Sequence, residues 1–229
     1  MGIHDGHRAN MRRRFLANEL DGFASHEALE LLLYYAIPRR DTNAIAHALM
    51  ERYGSLSGVL FAPVEDLQKV DGVGENTALL LHLVAPMFRT AMLTDKEVVL
   101  STPERIGEYL TLLFYGKRQE YAYQLCLDQK GRLLACRELV RGASASVSVD
   151  VRLVAENAIL TAASSVILAH NHPSGLALPS QEDYAFTDRA AAALNAVGIP
   201  LTDHIILADN DYVSMVDSGF LRREIGKER

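Results

Sequence analysis

Two histidines and one aspartate are spaced as the ligands of a metal ion. His170 and His172 end an apolar run, Ser165–Ala169, that predicts a buried β-strand, so both imidazoles point to the same side of the chain. Asp183 follows eleven residues after His172, in the first turn of a predicted helix, and the loop between them can fold back onto the strand end. Two ring nitrogens and one carboxylate oxygen suit one tetrahedral zinc ion with a fourth position for water. Zinc lowers the pKa of such a water to about 7, which predicts hydrolytic chemistry.

A hydrolytic zinc site also needs a group that carries the proton of the attacking water and a hydrogen-bond donor to the oxyanion that develops on the attacked carbonyl. Glu138 is the candidate general base, because it lies late in the predicted strand Arg132–Val140, on the side of Cys136 and Val140 by period-two counting. A carboxylate among apolar neighbours needs compensation, which a metal-bound water would supply. Ser180 is the candidate hydrogen-bond donor to a developing oxyanion.

Two of these residues also allow a purely structural interpretation. Ser180 and Asp183 have the spacing of a helix capping box, so they can begin a helix, and a cap is compatible with metal ligation by Asp183.

His204, which follows Asp203, offers a further imidazole as a possible metal ligand. A histidine at the start of a strand is more typical of a hydrogen-bonded structural residue than of an additional ligand.

The composition is that of a globular protein and excludes several classes. Apolar residues make up 49% of the 229 residues and charged residues 23%, which excludes a disordered chain. No apolar run reaches the roughly 18 residues of a membrane-spanning helix, and no secretory signal precedes the chain's first predicted elements. Two cysteines are too few for a disulfide framework or a thiolate zinc site, so the cytoplasm is the expected location. A net charge of −6 argues against a globally basic nucleic-acid-binding surface.

The predicted elements fall into two groups separated by a polar break near residues 95–102. Residues 1–94 have helical patterns, and residues 102–229 alternate strands and helices, which indicates an α/β domain with helices on both faces of a sheet. The predicted helices are His26–Tyr35, Ala44–Tyr53, Val64–Val70, Glu75–Phe88, Glu104–Phe114, Val151–Ala163 and Asp183–Val197, and the predicted strands are Tyr121–Leu127, Arg132–Val140, Ser165–Ala169, His204–Ala208 and Tyr212–Val216, the last two around the turn Asp209-Asn210-Asp211.

A glycine-containing turn in the first group resembles a helix-hairpin-helix motif. Gly72 and Gly74 separate two predicted helices and can offer backbone amides and a helix N-terminus to a DNA phosphate. Asp71 and Glu75 add negative charge beside that position, and no basic residue stands where a DNA-binding hairpin commonly has one. A structural helix pair is therefore the competing interpretation.

The motifs together resemble a known family. His-Asn-His-Pro-Ser-Gly over residues 170–175, followed by Pro-Ser-x-x-Asp over residues 179–183, resembles the JAMM (MPN+) metalloproteases and, more closely, the bacterial RadC family. The resemblance covers nearly the whole chain. Its other matching segments are Pro38-Arg39-Arg40-Asp41-Thr42-Asn43, residues 53–56 and 70–74, Leu127-Asp128, Glu138, Gly142, Arg152, Asp203-His204 and residues 212–214.

The resemblance implies a fold, a cofactor and a reaction. It implies a cytidine-deaminase-like α/β/α MPN domain preceded by a small all-α domain, with one zinc ion per chain on His170, His172 and Asp183 and the catalytic-glutamate role at Glu138. JAMM relatives hydrolyse peptide or isopeptide bonds, so the implied partner is a protein or peptide substrate.

Other functions fit parts of the same pattern. RadC proteins carry a DNA-repair label, and the alternative is a DNA-associated accessory protein that binds DNA through its helical domain and uses the MPN domain as a scaffold. Zinc-dependent deamination is excluded, because it expects Pro-Cys-x-x-Cys and neither Cys126 nor Cys136 has that spacing.

Overall fold

The computed structural model describes residues 3–38, 40–94, 97–142, 149–173, 175–208 and 211–221. Its contacts divide the chain into two compact units, Met1–Thr90 and Ala91–Arg229. The first unit ends four residues before the predicted limit at 94 and the second begins eleven residues before the predicted start at 102, and the predicted domain limits of 1–94 and 102–229 stay a prediction. In the described part of the chain, no helix has the length and apolar composition to cross a membrane.

The first unit is built from helices. They are α1 Ile3–Asn18, α2 Ser25–Ala36, α3 Asn43–Tyr53, α4 Leu56–Leu60, α5 Val64–Leu67 and α6 Glu75–Thr94, which continues past the end of the unit. Leu29 and Leu33, one turn apart on α2, and Leu49 on α3 bury completely in one apolar core. Helix α3 is followed by Gly54, whose positive φ of 75° is the left-handed conformation expected directly after a helix C-terminus.

The second unit contains a mixed sheet. Its elements are α7 Pro103–Phe114, β1 Tyr121–Leu127, β2 Leu133–Arg141, α8 Val151–Leu160, β3 Ser165–Asn171, α9 Gln181–Ala196, β4 Leu201–Ala208 and β5 Asp211–Ser214. The strand order is β2-β1-β3-β4-β5. Strand β3 is central, pairing antiparallel with β1 and parallel with β4, and its interior is buried as the apolar sequence predicts.

Helices cover both faces of this sheet. On one face, Leu110 and Phe114 of α7 pack against Leu125 and Ile167. On the other face, residues of α8 and α9 pack against Leu168 and its neighbours. The α/β architecture with a preceding all-α unit is therefore confirmed.

Several predicted limits differ from those observed. Helices α1 and α4 were not predicted, and α6 continues through Pro86 to Thr94 instead of ending at Phe88. Strand β4 begins at Leu201, three residues before the predicted start. Of the predicted turn Asp209-Asn210-Asp211, the first two residues lie outside the described residues, as do Arg39 and Ser174 of the family motifs.

Candidate metal centre

The three predicted ligands converge at one edge of the sheet. His170 lies near the end of β3, His172 follows that strand directly, and Asp183 lies in the first turn of α9. His170 and Asp183 are almost completely buried, whereas His172 is partly exposed. The site therefore has buried ligands on two elements and a side open to solvent.

The separations between the ligand atoms fit a single small metal ion. His170 Nε2 lies 2.9 Å from His172 Nε2 and 3.2 Å from Asp183 Oδ1, and His172 Nε2 lies 3.4 Å from Asp183 Oδ2. Ligands held about 2.0–2.2 Å from a tetrahedral zinc ion are about 3.3 Å apart, a value that these separations bracket. Nitrogen and carboxylate donors are also the ligands that zinc accepts, so the residues fit the implied ion.

Ser180 holds the aspartate in place. It is the N-cap of α9, and its hydroxyl oxygen accepts a hydrogen bond from the Asp183 amide at 3.1 Å. The Ser180 amide and hydroxyl both donate to Asp183 Oδ2, each at 2.7 Å. The capping interpretation is thus confirmed, and it coexists with a ligand position for Asp183. The hydroxyl proton is already used in this contact, so donation to an oxyanion by Ser180 stays a prediction.

The surroundings lower the pKa of Asp183 and raise the pKa of His172. Burial raises the pKa of Asp183, but the contacts with the His170 and His172 rings and the hydrogen bond from Ser180 outweigh it and hold the pKa well below its usual range. The hydrogen bond to Asp183 raises the pKa of His172 against the opposing effect of burial. His172 Nδ1 also contacts the Leu176 carbonyl at 3.0 Å, and because a carbonyl only accepts, Nδ1 donates and Nε2 faces the other ligands.

Glu138 is not brought to the three ligands. It pairs with Tyr123 of β1, which pairs in turn with Ala169 of β3, so all three side chains share the sheet face covered by α7. His170 follows Ala169 and therefore points to the opposite face. Glu138 accepts a hydrogen bond from the Tyr123 hydroxyl at 3.0 Å and forms an ion pair with Arg141 at 3.2 Å.

A β-bulge explains why period-two counting misplaced Glu138. The register shifts between Ala122, which pairs with Val140, and Tyr123, which pairs with Glu138, so β2 carries one extra residue there. The prediction that Glu138 and Val140 share a side is therefore wrong. Burial raises the pKa of Glu138, but hydrogen bonds from Arg141 and Tyr123 outweigh it, and the net shift is downward. The role of Glu138 as general base stays a prediction.

His204 and Thr187 form a chain of hydrogen bonds to His170 that was not predicted from the sequence. His204 on β4 places Nε2 at 2.8 Å from His170 Nδ1, and Thr187 on α9 places its hydroxyl at 2.6 Å from His204 Nδ1. The possible extra ligand His204 thus contacts a ligand and lies outside the ligand set formed by the described residues. The sequence contained one indication of Thr187, since it lies four residues after Asp183 on the same helix face.

The glycine hairpin lies in the first unit, between α5 and α6. Gly72 has a positive φ of 84°, and a Cβ added there would lie 2.7 Å from Ile45 Cδ1. Gly74 has open space around it. Arg40 and residues 68–74 line a cavity of about 530 Å³, so a guanidinium group lies beside the turn. The phosphate contact by Gly72 and Gly74 stays a prediction.

Comparison with known proteins agrees with the fold of the second unit. Residues 100–220 match the family described as the RadC-like JAB domain. A UPF0758 protein of Fusobacterium nucleatum is 34% identical over 227 residues, covering 95% of this chain and 98% of its own length. A second UPF0758 protein, from Ruegeria pomeroyi, is 35% identical over 218 residues, covering 94% and 97%.

These matches identify the type of domain and the family of the chain. The second unit is a JAB-type α/β domain with a cluster of two histidines and an aspartate at the edge of its sheet. The chain belongs to the RadC family. The relatives' designation states no activity, so the function has to be argued from the site.

Proposed function

We propose that this chain is a zinc-dependent hydrolase that cleaves peptide or isopeptide bonds. The observation that carries the proposal is the convergence of His170, His172 and Asp183, with ligand atoms all within 4.8 Å of one another. Three protein ligands, one of them partly exposed, leave a fourth position, which distinguishes catalytic zinc sites from closed structural ones. The family match to a JAB-type domain supports the reaction class.

The zinc ion supplies one part of the chemistry when it is bound, by lowering the pKa of a water molecule and polarising the scissile carbonyl. The chain supplies the rest. The His170 and His172 rings and the Asp183 carboxylate would hold the ion, and His170 and Asp183 are themselves buried from solvent. Ser180 first fixes the carboxylate of Asp183. Its predicted donation to an oxyanion requires the hydroxyl to leave Asp183, because it has only one proton.

Glu138 is the proposed proton carrier. The carboxylate is ionised at neutral pH, which is the state of a group that accepts a proton, and the hydrogen bonds from Arg141 and Tyr123 that lower its pKa must be released before it becomes an effective base. The side chain is about one-third exposed, at 36%, and its partner Arg141 is more exposed still. Such exposed ion pairs contribute only about 0–1 kcal/mol, so substrate binding can separate them. Because Glu138 lies on the sheet face opposite His170, this proposal requires the carboxylate to leave Arg141 and Tyr123 and to turn around the end of β2 toward the ligands when the substrate is bound.

The test is hydrolysis of a mixed set of peptides and isopeptide-linked peptides, followed by mass spectrometry. Zinc-loaded protein should form products, a chelator should stop the reaction, and added zinc should restore it. Glu138→Gln should retain zinc and lose about 10²–10⁴-fold in rate. Full activity of Glu138→Gln would refute the general-base role, and zinc binding without cleavage of any substrate in the set would contradict the hydrolase assignment.

A second candidate function is DNA binding by the hairpin of the first unit. The specific observation in its favour is Arg40, whose Nη1 lies 3.8 Å from the Cβ position of Gly72. This guanidinium partly supplies the positive charge that the sequence of the turn lacks. A cavity lined by Arg40 and residues 68–74 gives a phosphate a place to approach the backbone amides.

This candidate makes a prediction about salt dependence. Binding to single-stranded and branched DNA should weaken with added salt, and Arg40→Ala should reduce the slope of log K against log salt by about 0.7–0.9, the value of one phosphate contact. Arg105→Ala makes the same change of charge in the other unit and should leave the slope unchanged. Equal slopes for wild type and Arg40→Ala would rule out this contact.

A further inference from the structure

We propose that His204 and Thr187 form a hydrogen-bond relay that fixes the tautomer of His170, so that its Nε2 lone pair faces the metal position. The relay runs from the Asp183 carbonyl through the Thr187 hydroxyl and the His204 ring to His170 Nδ1. This inference rests on the proposed zinc site. It assigns His204 and Thr187 as positioning residues that act through His170.

The direction of the relay begins at Thr187. Its hydroxyl oxygen lies 2.6 Å from the Asp183 carbonyl oxygen and 2.6 Å from His204 Nδ1. A carbonyl oxygen can only accept, and a hydroxyl has one proton, so Thr187 donates to Asp183. The Thr187 oxygen must then accept from the ring beside it. His204 therefore carries a proton on Nδ1.

The direction continues through His204 to the ligand. His204 is almost completely buried, at 2% exposure, between Thr187 and His170, and a buried ring without a carboxylate in hydrogen-bond contact is favoured in its neutral form. A neutral imidazole protonated on Nδ1 has an accepting Nε2. His170 Nδ1, 2.8 Å away, must then donate, which leaves the lone pair of His170 on Nε2. That atom is the one turned toward His172 and Asp183.

The relay also joins two ligands through the protein. One end is the main chain of Asp183, and the other is the ring of His170, so β3, β4 and α9 are connected by three successive hydrogen bonds. Partners that accept the second ring proton of a ligating histidine orient the ring, and their loss typically weakens metal affinity 10–100-fold. Here the acceptor is another imidazole, whose own tautomer is set by a threonine.

Thr187→Val and Thr187→Ser form a matched pair of variants. Valine has a similar shape and no hydroxyl, so His204 loses its acceptor and is free to move its proton to Nε2, which would force His170 to carry its proton on Nε2 as well. Serine keeps the hydroxyl and should keep the relay. His204→Gln is a third variant, since its amide can accept from His170 and donate to Thr187.

The first readout is the tautomer of His170 in the full chain with chelator present, measured from the nitrogen chemical shifts of the ring by NMR. Wild type and Thr187→Ser should show the proton on Nδ1, and Thr187→Val should show it moved to Nε2. The second readout is zinc affinity by competition with a coloured chelator. Thr187→Val should bind zinc about 10–100-fold more weakly, with Thr187→Ser and His204→Gln close to wild type.

The two readouts separate the relay from the zinc site. A wild-type His170 protonated on Nε2, or a Thr187→Val variant that keeps both the tautomer and the affinity, would overturn the relay. A tautomer that moves as expected in a chain that binds no zinc would support the relay and contradict the proposed function. If Thr187→Val does not fold, the same outcomes are decided by wild type and by His204→Gln, which should keep the Nδ1 tautomer of His170.

Discussion

Replacing Ser180 with alanine should destabilise the second unit even when no zinc is present. The substitution removes the N-cap of α9, worth about 1 kcal/mol, and a charge-assisted hydrogen bond to the buried carboxylate of Asp183, worth about 1.5–3 kcal/mol. The expected loss in the free energy of unfolding is therefore about 3 kcal/mol. For a unit of about 140 residues, with an unfolding entropy of about 2 cal/mol/K per residue, the melting temperature should fall by about 10 °C.

Calorimetry of the full chain in chelator measures this change. Ser180→Thr is the matched control, because threonine keeps the hydroxyl and is an accepted N-cap, so it should lose no more than about 1 kcal/mol. A Ser180→Ala variant that melts within about 2 °C of wild type would refute the holding role. The hydroxyl would then be available for the predicted contact with an oxyanion.

Two further predictions concern the first unit. The hydrogen bond from Arg14 lowers the pKa of Glu27 from 4.5 to about 2. The stabilisation it gives, on the order of 1 kcal/mol after solvent screening, is therefore present above about pH 4.5 and is lost as the pH falls toward 2. Urea unfolding between pH 2 and 5 should show a free energy of unfolding that rises with pH in wild type and rises less in Glu27→Gln. Gly72→Ala should lower the free energy of unfolding by about 1–3 kcal/mol, because Gly72 has a positive φ and an added Cβ would meet Ile45. Gly74→Ala, which has open space around it, should change the free energy of unfolding very little. Equal melting temperatures for the two variants would contradict this explanation of the turn.

The apolar patterns were sufficient to predict the sheet. Strand β1 was predicted with its observed limits, Tyr121–Leu127, because a hairpin turn follows it directly. The central strand β3 was recognised from a short apolar run, although it continues two residues further, to Asn171. The convergence of His170, His172 and Asp183 could be predicted because the two histidines lie at the end of one strand and the aspartate at the start of the next helix, joined by a short loop that can fold back.

Features that depend on tertiary contacts could not be predicted. Helix α1 has a weak apolar pattern, and Arg8 connects it to the segment after α2 by donating to the carbonyl groups of Ile37, Pro38 and Arg40. The bulge in β2 is invisible to a period-two pattern, which is why the face of Glu138 was mispredicted. The contact of His204 with His170 joins neighbouring strands that are separated in sequence by a helix, so only the fold shows it.

The most direct test of the zinc site is the metal content of protein purified without added metal or a histidine tag, measured by mass spectrometry. We predict about one zinc ion per chain, lost in both Asp183→Asn and His172→Ala and retained in Glu138→Gln, whose side chain lies on the opposite face of the sheet. Well-folded wild-type protein that holds no metal, even after incubation with zinc, would contradict the account and leave Ser180 and Asp183 as a helix cap.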